Sequence, residues 1–208
     1  AGMGTYCGIR FADASNSEQG ITLCSIDSHL YQFGSNTMGQ VEGYIDPDNA
    51  TIFSVVMENY NQVDNCLKQG GQEVFTFRYS LLPHNGSFHA PDALKFARSI
   101  CCPLASKSMR ANPDGKIQSG SMSFIEISGE NVITAGIKVS EDQDGIVIRL
   151  RECVGKAEEV KITSRFTEIK TAVETDLLER KKAVLNVKDS AIKISIPPYG
   201  ISSVKLGF

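Results

Sequence analysis

The sequence predicts an all-β fold: an antiparallel β-sandwich part, then a small C-terminal β-sandwich, with one short helix. Three observations carry this. Apolar and polar residues alternate with period two in several segments, the pattern of strands with one buried face. Clusters of Asp, Asn, Gly and Pro separate those segments. A single stretch has helical spacing.

The elements follow in chain order. Turn signals stand at Asp46-Pro47-Asp48-Asn49 and Gln69-Gly70-Gly71. Phe75-Thr76-Phe77-Arg78-Tyr79-Ser80-Leu81 alternates strictly and predicts a strand. Next comes the helix, over 91–102. Pro91 suits a first helical position, Leu94, Ala97 and Cys101 share one face, and Pro103 stops the helix. Ser106 to Ser121 is polar, contains the turn Asn112-Pro113-Asp114-Gly115, and reads as a linker. It divides the chain into a first domain, 1–115, and a second, 122–208.

In the second domain Ile146, Ile148 and Leu150 share one face, with Arg149 and Arg151 opposite, after the turn Asp142-Gln143-Asp144-Gly145. Val160-Lys161-Ile162-Thr163 and Ala191-Ile192-Lys193-Ile194-Ser195-Ile196 alternate in the same way. About seven strands fit this part, as in a small sandwich.

Composition excludes several functions. The net charge of -3 leaves no basic footprint, so nucleic acid is not an expected partner. No apolar run approaches the ~20 residues that span a bilayer, so no membrane is expected. The six Cys contain no CxxC pair, which argues against a structural zinc site. Reduced thiols predict a cytoplasmic protein. Any imidazole site must draw on His29, His84 and His89.

Five segments, in order, carry a family resemblance. Phe11-Ala12-Asp13-Ala14-Ser15-Asn16 precedes Gln19-Gly20-Ile21-Thr22-Leu23. Phe75 to Leu81 continues into Leu82-Pro83-His84-Asn85-Gly86. Glu130-Asn131-Val132-Ile133, Lys138 and Asp142-Gln143-Asp144-Gly145-Ile146-Val147-Ile148-Arg149-Leu150 form the third block. Glu174-Thr175-Asp176-Leu177-Leu178-Glu179 and Pro197-Pro198-Tyr199-Gly200-Ile201 are the last two. Together they resemble the C-terminal region of glycoside hydrolase family 38 α-mannosidases.

The resemblance implies a fragment of a galactose-mutarotase-like supersandwich followed by a small terminal sandwich. It implies a parent enzyme that hydrolyses terminal α-D-mannosyl residues with retention. It places the zinc, its ligands and the nucleophile in an N-terminal catalytic domain that no segment here resembles. No catalytic residue, metal ligand or cofactor is therefore expected in this chain. The expected partners are that missing domain, mannosides reached through the parent enzyme, and a second copy in a homo-oligomer.

Three residues are candidates for contacting sugar: Asp13, His84 and Asn85. A retaining glycosidase needs two carboxylates about 5–5.5 Å apart. With 24 acidic residues, chance supplies such pairs, so Asp13 is read as capping a loop through an Asx-turn. His84 either bonds sugar hydroxyls or fixes its loop through a backbone carbonyl. Cys101 and Cys102 sit at the helix C-terminus, where the dipole disfavours a thiolate, so burial is expected there. Glu141 to Gly145 lacks calcium-loop ligands in register and reads as a hairpin turn. Lys181-Lys182 beside Arg180 reads as a solvated loop cluster. The alternative function is a free-standing carbohydrate-binding module, with Tyr6, Tyr31, Tyr44, Tyr60 and Phe88 as aromatic platforms.

Overall fold

Period-two alternation yields fourteen strands, with one helix, among the described residues of the computed structural model (5–8, 10–35, 49–56, 74–108, 110 and 120–208). Every strand pairing is antiparallel. The turns expected at 46–48, 69–71 and 112–115, and the platforms Tyr44 and Tyr60, lie outside the described residues. The chain folds as two compact units, Ala1–Leu104 and Ala105–Phe208.

The described residues of the first unit form two three-stranded sheets. One has the order β1-β4-β5, from β1 (Thr5–Cys7), β4 (Leu30–Phe33) and β5 (Ile52–Val55). The other has the order β2-β3-β6, from β2 (Phe11–Ser15), β3 (Gln19–Ser25) and β6 (Tyr79–Asn85). Helix α1 (Ala90–Cys101) packs against β2 and β3. It begins at Ala90, one residue before the expected start; Pro91 stands in its first turn, where the missing N–H costs nothing, and the helix buries Ala93 and Ala97.

The strand expected over Phe75–Leu81 starts four residues later and ends at Asn85. Its start is set by the end of β3. Ser25 pairs with Tyr79, and beyond it Asp27 turns the chain. The Asp27 carboxylate accepts the Arg78 N–H at 2.8 Å and its guanidinium at 2.8 and 3.0 Å. Val74 and Phe75 stay exposed outside the sheet. Pro83 is tolerated within β6 because β6 is an edge strand.

The second unit is a two-sheet sandwich. Its smaller sheet, β13-β10-β7, joins β7 (Ile125–Ile127), β10 (Glu158–Ser164) and β13 (Ala191–Ile196). The larger, β12-β11-β14-β9-β8, joins β8 (Val132–Val139), β9 (Ile146–Glu152), β11 (Thr171–Thr175), β12 (Lys181–Val184) and β14 (Ile201–Gly207). Both inner faces supply one core. Val160, Ile162, Ile192, Ile194 and Ile196 come from the smaller sheet; Ile148, Leu150, Val204 and Leu206 come from the larger. Burial of these chains is the main stabilising term.

Among the described residues this unit has eight strands, where about seven were expected. Lys181 and Lys182, expected on a loop, open β12, an exposed edge strand. Charged edge residues discourage pairing with another chain. Glu141 to Gly145 does form the turn between β8 and β9, where Lys205 pairs with Asp142 and Asp144.

Glu152, the last residue of β9, is fully buried yet charged. Its Oε1 accepts the Val154 N–H at 2.7 Å. Its Oε2 accepts those of Gly155 and Tyr199 at 2.8 and 2.7 Å. Desolvation pushes its pKa up, but the N–H donors of Tyr199, Val154, Gly155 and Lys156 outweigh it, so the pKa lies below the ordinary 4.5. The carboxylate thus ties the loop after β9 to the Pro-Pro-Tyr-Gly turn before β14. Gly155 (φ 82°) is required here: a Cβ would lie 2.6 Å from the Tyr199 ring.

Two outcomes follow for the second unit. Ile162→Ala lowers its stability by about 3 kcal/mol in urea unfolding, from lost apolar contact plus the cavity left behind. Glu152→Ala takes the acceptor away from the N–H groups of Val154, Gly155 and Tyr199 and lowers the melting temperature seen by circular dichroism. Glu152→Gln, which keeps one acceptor oxygen, lowers it less. A Glu152→Ala protein that melts like wild type would show that the cradle is not needed.

Candidate functional site

The candidate residues Asp13 and His84 meet on one face of the β2-β3-β6 sheet. Register explains how. Asp13 pairs with Thr22, while Ser15 pairs with Gly20, which pairs with His84. Directly paired residues share a face, so Asp13, Ser15, Gly20, Thr22 and His84 all project from the same side. Asp13 and His84 stand on strands that β3 separates. The imidazole reaches across because Gly20 lies beneath it: a Cβ there would sit 2.7 Å from His84 Nε2. Any side chain at position 20 would occupy the imidazole's place.

The contacts are specific. His84 Nε2 lies 3.0 Å from Asp13 Oδ2, and Thr22 Oγ1 donates to the same oxygen at 2.5 Å. The Asp13 side chain is 7% exposed and that of His84 21%, so the pair is largely shielded from water. The Asp13 Oδ1 is buried without a hydrogen-bond partner. The hydrogen bond that the His84 ring gives to the Asp13 carboxylate raises the His84 pKa above 6.5; burial opposes this, and the charge of Asp13 and the backbone at Asn85 and Gly86 add to it.

The loop-capping role expected of Asp13 is corrected by its place inside β2, where its backbone is already paired with β3. The Asx-turn is made instead by Asn16, whose Oδ1 accepts the N–H groups of Glu18 and Gln19 at 2.8 and 2.9 Å. His84, Asn85, Ser15, Asn16 and Gln19 border a groove of about 540 Å³. Asn85 is exposed at its rim. This arrangement can offer polar groups to a hydroxylated ligand.

The platform candidates separate. Tyr31 is buried, whereas Tyr6 and Phe88 are 42% and 46% exposed. Tyr6 packs on Phe33 with ring centroids 5.8 Å apart, and Phe88 on Phe11 at 6.0 Å. These four rings and Asp13 border a second groove of about 450 Å³. His89 pairs with Asp92 at 2.8 Å on the first turn of α1. Among the described residues no group of three or more His, Cys, Asp or Glu side chains is placed to hold a metal ion.

The comparisons with known proteins agree with the second unit's architecture. Residues 131–204 match the family described as Glycosyl hydrolases family 38 C-terminal beta sandwich domain. No curated protein matches. The chain is similar in fold to an alpha-mannosidase from Enterococcus faecalis V583, with a TM-score of 0.65 at 14% identity. The match covers 97% of this chain and 21% of that one. A second structure, a protein in the Glycosyl Hydrolase Family 38 from Enterococcus faecalis, gives 0.63 at 13% identity, covering 97% and 22%. The chain thus spans about a fifth of the length of the structures it matches. Its fold is similar to that part of those chains.

The Asp13–His84 pair has a pH signature. Because the folded-state pKa of His84 is raised, its contribution to stability is complete below 6.5 and is lost as pH rises through the folded value. An NMR titration of the His84 ring should give a midpoint above 6.5, and Asp13→Asn should return it toward 6.5. An unchanged midpoint in that variant would mean that another group raises it.

Proposed function

We propose that this chain, whose residues 131–204 match the family 38 C-terminal β-sandwich domain, is the non-catalytic C-terminal region of an α-mannosidase. The parent enzyme hydrolyses terminal α-D-mannosyl residues. Its zinc and its catalytic carboxylates belong to the part of the parent that this chain does not span. The family match, joined to a fold likeness over 97% of the chain, is the observation that carries the reading.

The chemistry of the chain favours a supporting role. The shielded carboxylates of Asp13 and Glu152 are held by donors from neighbouring strands and turns. A carboxylate fixed in this way positions a backbone. Tyr79, Leu81 and Pro83 are exposed along one face of β6, opposite His84, as suits a face that further protein covers. The region then packs against the catalytic domain and shapes one wall of its sugar cleft. The free thiols among the described residues fit a cytoplasmic location.

A second reading rests on the paired rings Tyr6–Phe33 and Phe11–Phe88 beside Asp13, an arrangement able to stack a sugar ring. In that case the chain is a carbohydrate-binding module.

An assay with an aryl α-mannoside tests the first reading. The chain alone should release no aryl alcohol, and the gene upstream of Ala1 should encode closely spaced His and Asp zinc ligands. Hydrolysis by the chain alone would overturn the non-catalytic assignment. Calorimetric binding of mannose, together with a start codon just before Ala1, would favour the module.

A further inference from the structure

Three thiols of the first unit gather at the C-terminal end of α1. Cys24 projects from β3 toward the helix and is fully buried. Its Sγ lies 3.8 Å from Cys101 Sγ and 4.0 Å from the Ala97 carbonyl oxygen. Cys101 is half-buried in the last helical turn, so solvent reaches this side of the pair. Cys102 is exposed and faces Arg10, Nη1 to Sγ 3.9 Å. Cys24 and Cys101 are 77 residues apart in sequence, so only the fold brings them together.

Separation at van der Waals contact leaves a short path to a bond. A disulfide needs its sulfurs about 2.05 Å apart, and rotation of the two side chains supplies most of the approach. We propose that Cys24 and Cys101 form an oxidisable dithiol, a modification site where a small disulfide of the glutathione class links β3 to the last turn of α1. The inference is independent of the mannosidase reading.

The order of attack follows from the surroundings. Burial pushes the Cys24 thiol up to about 11, and the hydrogen bond and charge of Cys101 push the same way, while Arg10 opposes them. Cys101, the more accessible of the two, therefore reacts first. Its thiolate attacks one sulfur of the glutathione disulfide. That S–S bond breaks, and one glutathione leaves as thiolate and takes up a proton. Once Cys101 is in the mixed disulfide, it no longer holds the Cys24 proton in place. The Cys24 thiolate, its proton passed to water, then attacks the Cys101 sulfur and expels the second glutathione. Two protein thiols are oxidised, and one small disulfide is reduced to two thiols.

The product fastens the helix to the sheet it packs on. Closing so long a loop restricts the unfolded chain and favours the folded unit.

The test treats the folded 208-residue chain with excess oxidised glutathione, then blocks the remaining thiols with an alkylating agent. Starting from the fully reduced chain, two free thiols should be lost to an internal link, and non-reducing peptide mapping should show Cys24 joined to Cys101. Dithiothreitol should restore all six. Cys102→Ser should leave the linkage intact, whereas Cys101→Ser and Cys24→Ser should each abolish it. Glutathione retained on Cys101 or Cys102 without an internal link would overturn the proposal. So would a link to Cys66, a Cys101–Cys102 link, or six thiols persisting. The mapping of the unmutated chain decides the matter even if Cys24→Ser does not fold.

Discussion

The second unit depends on one buried negative charge. Glu152 sits where β9 ends, and it is held by N–H groups that come from two separate turns. Desolvating a carboxylate is costly, and only several charge-assisted hydrogen bonds offset that. Those donors exist only if the loop after β9 and the Pro-Pro-Tyr-Gly turn are both in place. The backbone of Glu152 adds to the tie, donating to the Gly200 carbonyl at 3.0 Å. The register of β14 against β9 starts next to this point, with Ile201 opposite Arg151. One side chain thereby fixes the alignment of the central pair of the larger sheet.

Other segments of the second unit use the same device. Asp176 accepts the N–H groups of Leu178 and Arg180, each at 2.9 Å, and pairs with the Arg180 guanidinium at 2.7 Å. Glu179 accepts the Glu141 N–H at 2.8 Å and pairs with Lys138 at 2.6 Å. Arg149 donates to the Leu177 carbonyl at 2.8 Å. The turn between β11 and β12 is thus fastened to β8 and β9. In the first unit Asp13 joins β2 to β6 across β3 through His84. In each case an acidic group fixes strands or turns that the apolar core alone leaves free to slide.

The fold is legible in the sequence where side chains alternate, and the site is legible only in part. Ile146, Ile148 and Leu150 opposite Arg149 and Arg151 announce β9 and its buried face. Val160 and Ile162, and Ile192 to Ile196, do the same for the smaller sheet. Alternation places the strand at Phe75 to Leu81 too early, because its true start is set by the Asp27–Arg78 contact, which alternation does not encode. Asp13 and His84 are visible as residues of family segments, but their pairing is not. It needs β3 between them and Gly20 beneath the imidazole, and a glycine gives no sign of what lies above it. Glu152 carries no signal of its role because its partners are backbone N–H groups, which have no residue identity. The Cys24–Cys101 contact joins positions remote in sequence, which spacing alone cannot reveal.

The five segments that carry the family resemblance have one physical feature in common. The Asp13 block supplies Asp13, Gly20 and Thr22, and the Pro83 block supplies His84. The Asp142 block supplies the turn that Lys205 holds, and its Arg149 reaches the Asp176 block. The last block supplies the Tyr199 N–H for Glu152. Every quoted segment therefore contains a group that ties one strand or turn to another. A catalytic constellation would instead converge on one cavity and leave a nucleophile or proton donor facing it. Here the ties are spread over both units, and His84 is already engaged by its own carboxylate. Such a distribution holds each unit in shape from within, strand by strand and turn by turn.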